Sequence, residues 1–140
     1  MLSKRDIQNI NNIVYQAGVT ILEVYDSDFD VETKSDNSPL TIADKKSHQI
    51  IEHGLKKLYP DIPILSEEGK DIPYSERKKW DTFWLVDPID GTKEFIKRNG
   101  EFTVNIALIK DNFPIFGSVY APFKKELFWA FKGLGAWKSE

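Results

Sequence analysis

The chain contains no cysteine, which excludes disulfide bonds, zinc–thiolate sites and a cysteine nucleophile. It has no apolar run approaching the ~20 residues that span a bilayer, and no apolar stretch behind Met1 that resembles a signal peptide. Positive charge is not in excess, because the formal net charge is −3. This argues against a nucleic-acid polymer as partner but not against a small phosphorylated ligand. The sequence therefore predicts a cytoplasmic protein without a transmembrane segment.

The 140 residues, of which 41% are hydrophobic, suffice for one domain with an ordinary core. Apolar residues at helical spacing predict helices over Lys4–Tyr25, with Ser3 and Asp6 as its N-terminal cap, and over 41–58. Strands are predicted over 29–34, 62–65, 82–86, 102–109, 115–121 and 127–131, with a brief helix over Thr92–Lys97 and a polar loop over 70–79. Residues 136–138 look like the opening of another strand. This order predicts an α+β fold with two helices packed on a largely antiparallel sheet.

Aromatic and histidine residues have simple structural interpretations. The four tryptophans and the strand residues Phe102, Phe113, Phe116 and Phe128 are predicted to lie in the core. His48 and His53 are five residues apart, which separates them by ~140° around a helix. They are therefore not a metal-binding pair, and surface positions are predicted for both.

The chemistry concentrates where the apolar run Trp84–Val86 ends in Asp87-Pro88-Ile89-Asp90-Gly91-Thr92. A buried strand that ends in two carboxylates delivers charge to one point, and Gly91-Thr92 then begins a helix whose unpaired N–H groups favour an anion. Carboxylates beside an anion make sense only if cations lie between them. The segment is thus typical of metal-assisted cleavage of a phosphate ester.

Further carboxylates end or begin neighbouring elements. Glu67 and Glu68 follow another apolar strand, and a parallel arrangement would place them beside Asp87; Asp44 opens the second helix. Hard divalent cations relieve such repulsion, and ligation by oxygen alone suits Mg²⁺ rather than zinc. Each motif alone could be an ordinary turn or a solvated loop edge. Their combination at the ends of two apolar strands favours a site.

One rival motif is the Asp-x-Asp-Gly-Thr of phosphatases that form an aspartyl-phosphate. Here Pro88 and Ile89 separate the two aspartates, whereas that motif has a single residue between them. The extra residue changes which side chains share a face, so the covalent mechanism is disfavoured. Trapping a phosphorylated Asp87 would reverse this interpretation.

Three motifs in this order resemble the inositol monophosphatase superfamily. They are Lys34-x-Asp36-x-Ser38-Pro39-Leu40-Thr41-x-x-Asp44, Ser66-Glu67-Glu68 and Asp87-Pro88-Ile89-Asp90-Gly91-Thr92. The continuations Lys93-Glu94-Phe95-Ile96 and Asn99-Gly100-Glu101-Phe102-Thr103-Val104-Asn105 are similar to its 3'(2'),5'-bisphosphate nucleotidase branch. The resemblance covers nearly the whole chain.

The resemblance implies lithium-sensitive hydrolysis of a phosphomonoester, with two or three Mg²⁺ ions and adenosine 3',5'-bisphosphate as substrate. It implies that Glu67, Asp87 and the Ile89 carbonyl hold one ion, that Asp87 and Asp90 hold a second, and that Glu67 reaches a looser third ion and makes a weak substrate contact. Thr92, oriented by Asp44, would position the attacking water, and the N–H groups of Gly91 and Thr92 would meet the phosphate. Peripheral association with the inner membrane stays open.

Members of this family run to roughly twice this length, so residues 1–140 correspond to a metal-binding N-terminal domain of layered, sugar-phosphatase-like fold, without a C-terminal domain. The expected consequences are weak magnesium binding, poor turnover and an exposed apolar sheet face that favours a homo-oligomer. The alternatives are an inositol monophosphatase or sugar phosphatase, and a non-catalytic binding or oligomerisation module that retains the acids.

Overall fold

The strands of the protein form one six-stranded sheet whose order follows the chain, from β1 to β6. The computed structural model describes residues 2–26, 39–69 and 71–139. Strands β1 and β2 are parallel, and each later pair is antiparallel. The elements are α1 (Lys4–Tyr25), α2 (Pro39–Leu58), β1 (Ile64–Ser66), α3 (Tyr74–Arg77), β2 (Thr82–Asp90), α4 (Thr92–Lys97), β3 (Thr103–Lys110), β4 (Phe113–Ala121), β5 (Glu126–Phe131) and β6 (Gly135–Ser139). The predicted α+β fold is confirmed.

Helix α1 begins with the predicted cap. The Asp6 N–H donates to Ser3 Oγ over 3.1 Å, and the Ser3 N–H donates to Asp6 Oδ2 over 2.7 Å. Helix α2 packs against α1 where Gly54 faces Ile13; a β-carbon on Gly54 would lie 2.8 Å from the Ile13 side chain. Glycine at this position therefore lets the two helices approach closely.

The sheet has two different faces. Its inner face, which packs on α1 and α2, carries buried residues such as Trp84, Val86 and Ile106. Alternate residues point the other way, so the outer face carries the apolar residues Leu85 and Val119, which are 45% and 40% exposed. In the described part of the chain, no helix is both long and apolar enough to cross a membrane.

The core prediction for aromatic residues is partly wrong. Trp84, Phe102 and Phe116 are buried, but Phe113 is 67% exposed and Phe128 43% exposed. Phe113 directly follows the β3–β4 turn, and Phe128 lies on the outer face of β5. Trp137, in β6, is also exposed. Hydrophobic character predicts a strand here but does not decide which face of the sheet is covered.

Several boundaries differ from those predicted. Helix α2 begins at Pro39 rather than at 41, as is usual for proline in a first helical turn. Strand β1 is shifted to Ile64–Ser66, and β2 continues through both aspartates to Asp90. The predicted polar loop over 70–79 contains helix α3, which begins after Pro73. The strand predicted at 136–138 is present as β6, and the strand predicted at 29–34 lies outside the described residues.

Candidate metal site

The parallel pairing of β1 with β2 places Glu67 beside Asp87. Leu65 is paired with Leu85 and Ser66 with Val86, so the next pair in this register is Glu67 with Asp87. The Glu67 N–H donates to the Val86 carbonyl over 3.2 Å, which continues the ladder past the end of β1. Because side chains alternate between faces, both carboxylates lie on the outer face while Ser66 lies on the inner face.

A β-bulge places Asp90 on the same face as Asp87. Asp87 is paired with Asn105 and Asp90 with Thr103, so three steps along β2 match two steps along β3. In a regular strand, residues three apart would face opposite sides. The extra residue in the bulge brings Asp90 back to the face of Asp87. On that face, Asn105 Nδ2 donates to Asp90 Oδ2 over 3.4 Å.

Asp87 is held in an environment unfavourable to its charge. Burial raises the pKa of Asp87 most, followed by the Glu67 charge, a hydrogen bond shared with Glu67 and the Asp90 charge; the Ile89 N–H acts in the opposite direction. Asp87 Oδ1 is buried without a hydrogen-bond partner, as is Asn105 Oδ1 on the neighbouring strand. Buried oxygens without partners are costly, so these two acceptors suit a bound cation.

Asp44, on α2, is a fourth acid at this site. It is 8% exposed, and burial together with the charges of Glu68, Asp87 and Glu67 raises its pKa to about 7. Three further carboxylates therefore act on Asp44 through space. Such mutual repulsion among oxygen ligands is the situation that a hard divalent cation relieves.

The predicted ligands converge only in part. Glu67 and Asp87 are close enough to share a hydrogen bond, and Asp90 acts on Asp87 as a nearby charge. Within residues 2–26, 39–69 and 71–139, no three His, Cys, Asp or Glu side chains are already gathered as a metal cage. The all-oxygen donors and the two unpartnered acceptors still fit Mg²⁺, with Glu67 and Asp87 as the pair on which binding would begin.

Gly91 and Thr92 begin α4 where predicted. Gly91 has a φ of +96°, and a β-carbon there would lie 2.8 Å from the Glu101 carbonyl, so only glycine fits this backbone. Thr92 is exposed, and its hydroxyl is not among the groups that act on the Asp44 carboxyl. The pairing of Thr92 with Asp44 thus stays a prediction.

Two residues near the site were not anticipated. The Ser47 hydroxyl donates to the Pro88 carbonyl over 2.9 Å. The surface position predicted for His48 is wrong: its side chain is only 15% exposed and its Nδ1 lies 2.9 Å from Ser66 Oγ. His53 is exposed, as predicted. Only their spacing could have indicated these two residues from the sequence. Ser47 and His48 lie three and four positions after Asp44 and therefore share its helix face.

The acidic site opens onto a cavity on the outer face. This cavity, about 470 Å³, is lined by Glu67, Asp87 and Asn105 and by apolar residues such as Leu85 and Val119. A larger cavity of about 560 Å³ lies between α1 and the β5–β6 edge, but no acidic side chain lines it. The smaller cavity is therefore the better candidate for a cation-dependent site.

Residues 3–140 match the family described as the inositol monophosphatase family, and the chain belongs to this family. Among its relatives, the protein named 3'(2'),5'-bisphosphate nucleotidase CysQ in Shigella flexneri is 52% identical over 137 residues, which cover 96% of this chain and 54% of the relative. The CysQ of Aggregatibacter actinomycetemcomitans is 41% identical, over 99% of this chain and 51% of that protein. The chain thus spans about half the length of the curated relatives that it matches.

Solved structures give the same assignment. The crystal structure of CysQ from Bacteroides thetaiotaomicron, 49% identical, superposes with a TM-score of 0.90 over 98% of this chain and 49% of that chain. Inositol monophosphatase II from Staphylococcus aureus, 29% identical, superposes with a TM-score of 0.79 over 97% of this chain and 50% of that chain. The fold is therefore that of the family.

Proposed function

We propose that the protein is a magnesium-dependent phosphatase that removes the 3'-phosphate of adenosine 3',5'-bisphosphate. The observation that carries the proposal is the Glu67–Asp87 pair, in which two carboxylates lie side by side and Asp87 Oδ1 is buried without a partner. The substrate is suggested by the name 3'(2'),5'-bisphosphate nucleotidase, which the Shigella flexneri and Aggregatibacter actinomycetemcomitans relatives bear.

In this proposal, two or three magnesium ions are held by Glu67, Asp87, the Ile89 carbonyl and Asp90. Bound magnesium supplies positive charge beside the phosphate and makes an attacking water easier to deprotonate. The protein's own contribution is to hold the four oxygen ligands at the ends of adjacent strands. The β-bulge between Asp87 and Asp90 is what allows one face to present both carboxylates.

The same proposal assigns the phosphate to the backbone N–H groups of Gly91 and Thr92. The exposed Thr92 hydroxyl orients the attacking water, and the Asp44 carboxylate accepts a hydrogen bond from that hydroxyl. In the metal-free protein, burial and the neighbouring carboxylates raise the pKa of Asp44 to about 7, and magnesium bound to Glu67 and Asp87 would favour its ionised, hydrogen-bond-accepting form.

The test is phosphate release from adenosine 3',5'-bisphosphate with and without magnesium. Asp90→Asn removes one charge from the proposed ion site and should reduce magnesium-dependent release to background. Asp61→Asn, which changes an exposed aspartate outside the site, is the matched control and should leave release unchanged. Magnesium-dependent release that persists in Asp90→Asn would contradict the proposal.

Inositol 1-phosphate is the comparison substrate, because the Staphylococcus aureus neighbour is an inositol monophosphatase. If phosphate is released faster from inositol 1-phosphate than from adenosine 3',5'-bisphosphate, the protein is an inositol or sugar phosphatase and the proposed nucleotidase function is wrong.

Since the chain spans about half of its curated relatives, we expect weak magnesium binding and slow turnover from these 140 residues. Calorimetry with magnesium, combined with phosphate release, separates a weak enzyme from a non-catalytic module that retains the acids, because such a module would release no phosphate even where it binds magnesium. Sedimentation tests the expected homo-oligomer. The cytoplasmic location stays a prediction.

A further inference from the structure

One face of α2 contacts both segments that carry the acids. Asp44, Ser47 and His48 follow at spacings of three and four and therefore share one side of the helix. Ser47 is fully buried, and its hydroxyl donates to the Pro88 carbonyl inside the Asp87–Asp90 bulge. This bond fixes the bulge to the helix at the point where the β-ladder is interrupted.

His48 makes the corresponding contact with the other segment. Its Nε2 lies 3.0 Å from the Glu52 carboxylate, and its Nδ1 lies 2.9 Å from Ser66 Oγ. Because a carboxylate only accepts, Nε2 carries a hydrogen, and Nδ1 shares a hydrogen bond with the Ser66 hydroxyl. Both ring nitrogens are thus engaged, and the ring orientation is fixed.

Ser66 transmits this contact to Glu67. The turn after β1 is closed by the Gly69 N–H, which donates to the Ser66 carbonyl over 3.1 Å, and the Glu67 N–H is bonded to Val86. Ser66 is 8% exposed, and its hydroxyl is bonded to His48 on α2. The hydroxyl therefore anchors the turn to the helix.

From these contacts we infer that Ser47 and His48 are positioning residues that set the separation of Glu67 from the Asp87–Asp90 bulge, and thereby the affinity of the site for magnesium. Neither side chain belongs to the proposed ligand set. Each acts through a neighbour: Ser47 through the Pro88 carbonyl and His48 through Ser66. The inference rests on the proposed function, because it assumes that the acidic site binds magnesium.

A matched pair of variants at His48 isolates the contact with Ser66. The amide of asparagine occupies the position of Nδ1, so His48→Asn keeps the bond to Ser66 and loses the one to Glu52. The longer glutamine places its amide at the position of Nε2, so His48→Gln keeps the bond to Glu52 and loses the one to Ser66. Removing a group that orients a metal ligand typically weakens metal binding by 10–100-fold.

The measurement is calorimetric titration of the full chain with magnesium alone at pH 8, together with the metal-free unfolding midpoint of each variant. We expect His48→Gln to weaken magnesium binding about tenfold and His48→Asn to stay close to the wild type, with similar unfolding midpoints for the two. His53→Ala, at the exposed histidine of the same helix, is the control and should change neither quantity.

A double-mutant cycle provides the second test. Ser66→Ala should weaken magnesium binding as much as His48→Gln does, and the double variant should be no weaker than either single variant. Likewise, Ser47→Ala should weaken binding while Ser47→Thr, which keeps the hydroxyl, restores it. Additive losses in the cycle would show independent effects and would contradict the inference.

The outcomes separate this inference from the proposed function. A wild-type chain that binds no magnesium contradicts both. A wild type that binds, with equal affinities in His48→Asn and His48→Gln, contradicts the positioning role alone. Lower unfolding midpoints in the His48 variants, with unchanged magnesium affinity, would show that His48 only stabilises the fold. This result would also contradict the positioning role.

Discussion

Replacing Asp44 by asparagine should stabilise the metal-free protein at pH 8, and by less than half as much at pH 5. Asp44 is buried, and burial and three neighbouring carboxylates raise its pKa from 3.8 to about 7. In the folded protein the ionised form is therefore disfavoured. The free energy of unfolding is highest below pH ~3.8, where Asp44 is protonated in both states, and falls as the pH rises through ~7.

The size of the effect follows from the same values. The difference between 3.8 and about 7, converted at ~1.4 kcal/mol for each pKa unit, sets a ceiling of ~4 kcal/mol. Solvent reaches the neighbouring carboxylates, and its screening reduces the expected gain to ~1–2 kcal/mol. Asparagine has the same shape but no charge, so it escapes this penalty at pH 8.

The assay is urea unfolding in the presence of a chelator, followed through tryptophan fluorescence, with the fully buried Trp84 as the main reporter. Asp44→Asn should exceed the wild type by ~1–2 kcal/mol at pH 8 and by less than half of that at pH 5, because at pH 5 only part of the Asp44 penalty has developed. The control Asp61→Asn should match the wild type at both values. An Asp44→Asn variant that is less stable than the wild type at pH 8, or equally changed at both pH values, would refute the account of a strained acidic site.

Three further predictions concern the fold around the site. Gly91→Ala should lower the free energy of unfolding by ~2 kcal/mol, because Gly91 has a positive φ and a β-carbon there would meet the Glu101 carbonyl. The control is Gly117→Ala, since a β-carbon on Gly117 would enter open space. Equal losses of stability in the two variants would contradict this reasoning. Tyr59→Phe should cost ~1 kcal/mol at pH 7, since it removes the 2.6 Å bond to Asp6. The Ser3 N–H and the Tyr59 hydroxyl lower the pKa of Asp6 below 3.8, so this cost should shrink only as the pH falls below that value and Asp6 becomes protonated; a constant cost would count against the prediction. Leu85→Lys, on the exposed outer face, should abolish concentration-dependent self-association in sedimentation velocity, and a monomeric wild type at every concentration would argue against the expected homo-oligomer.

The acids of the site were predictable because their signals are local. An apolar strand that ends in Asp87 or Glu67 can be read from a few consecutive residues. To predict that Glu67 lies beside Asp87, one needs only that the two strands are parallel neighbours, so that their carboxyl ends lie at the same edge of the sheet. The structure has this parallel pairing of β1 with β2. The side chains that hold the acids were not predictable in this way. Ser47 contacts a carbonyl 41 positions away, and His48 a hydroxyl 18 positions away.

The exposed aromatics were mispredicted for a related reason. Phe113 and Phe128 have the composition of core residues, but a core position also requires something that packs on that side of the sheet. In the described residues, α1 and α2 cover the inner face, and Phe128 lies on the other one. Strand periodicity gives the alternation of faces without telling which face a helix will cover.

The most direct test of the central claim is an anomalous diffraction map of the protein crystallised with Mn²⁺, which replaces Mg²⁺ among oxygen ligands. We expect a manganese peak in contact with both Glu67 and Asp87, and no such peak in the Asp87→Asn variant. A wild-type crystal in which manganese binds elsewhere, or in which the two carboxylates stay side by side without an ion at millimolar manganese, would contradict it.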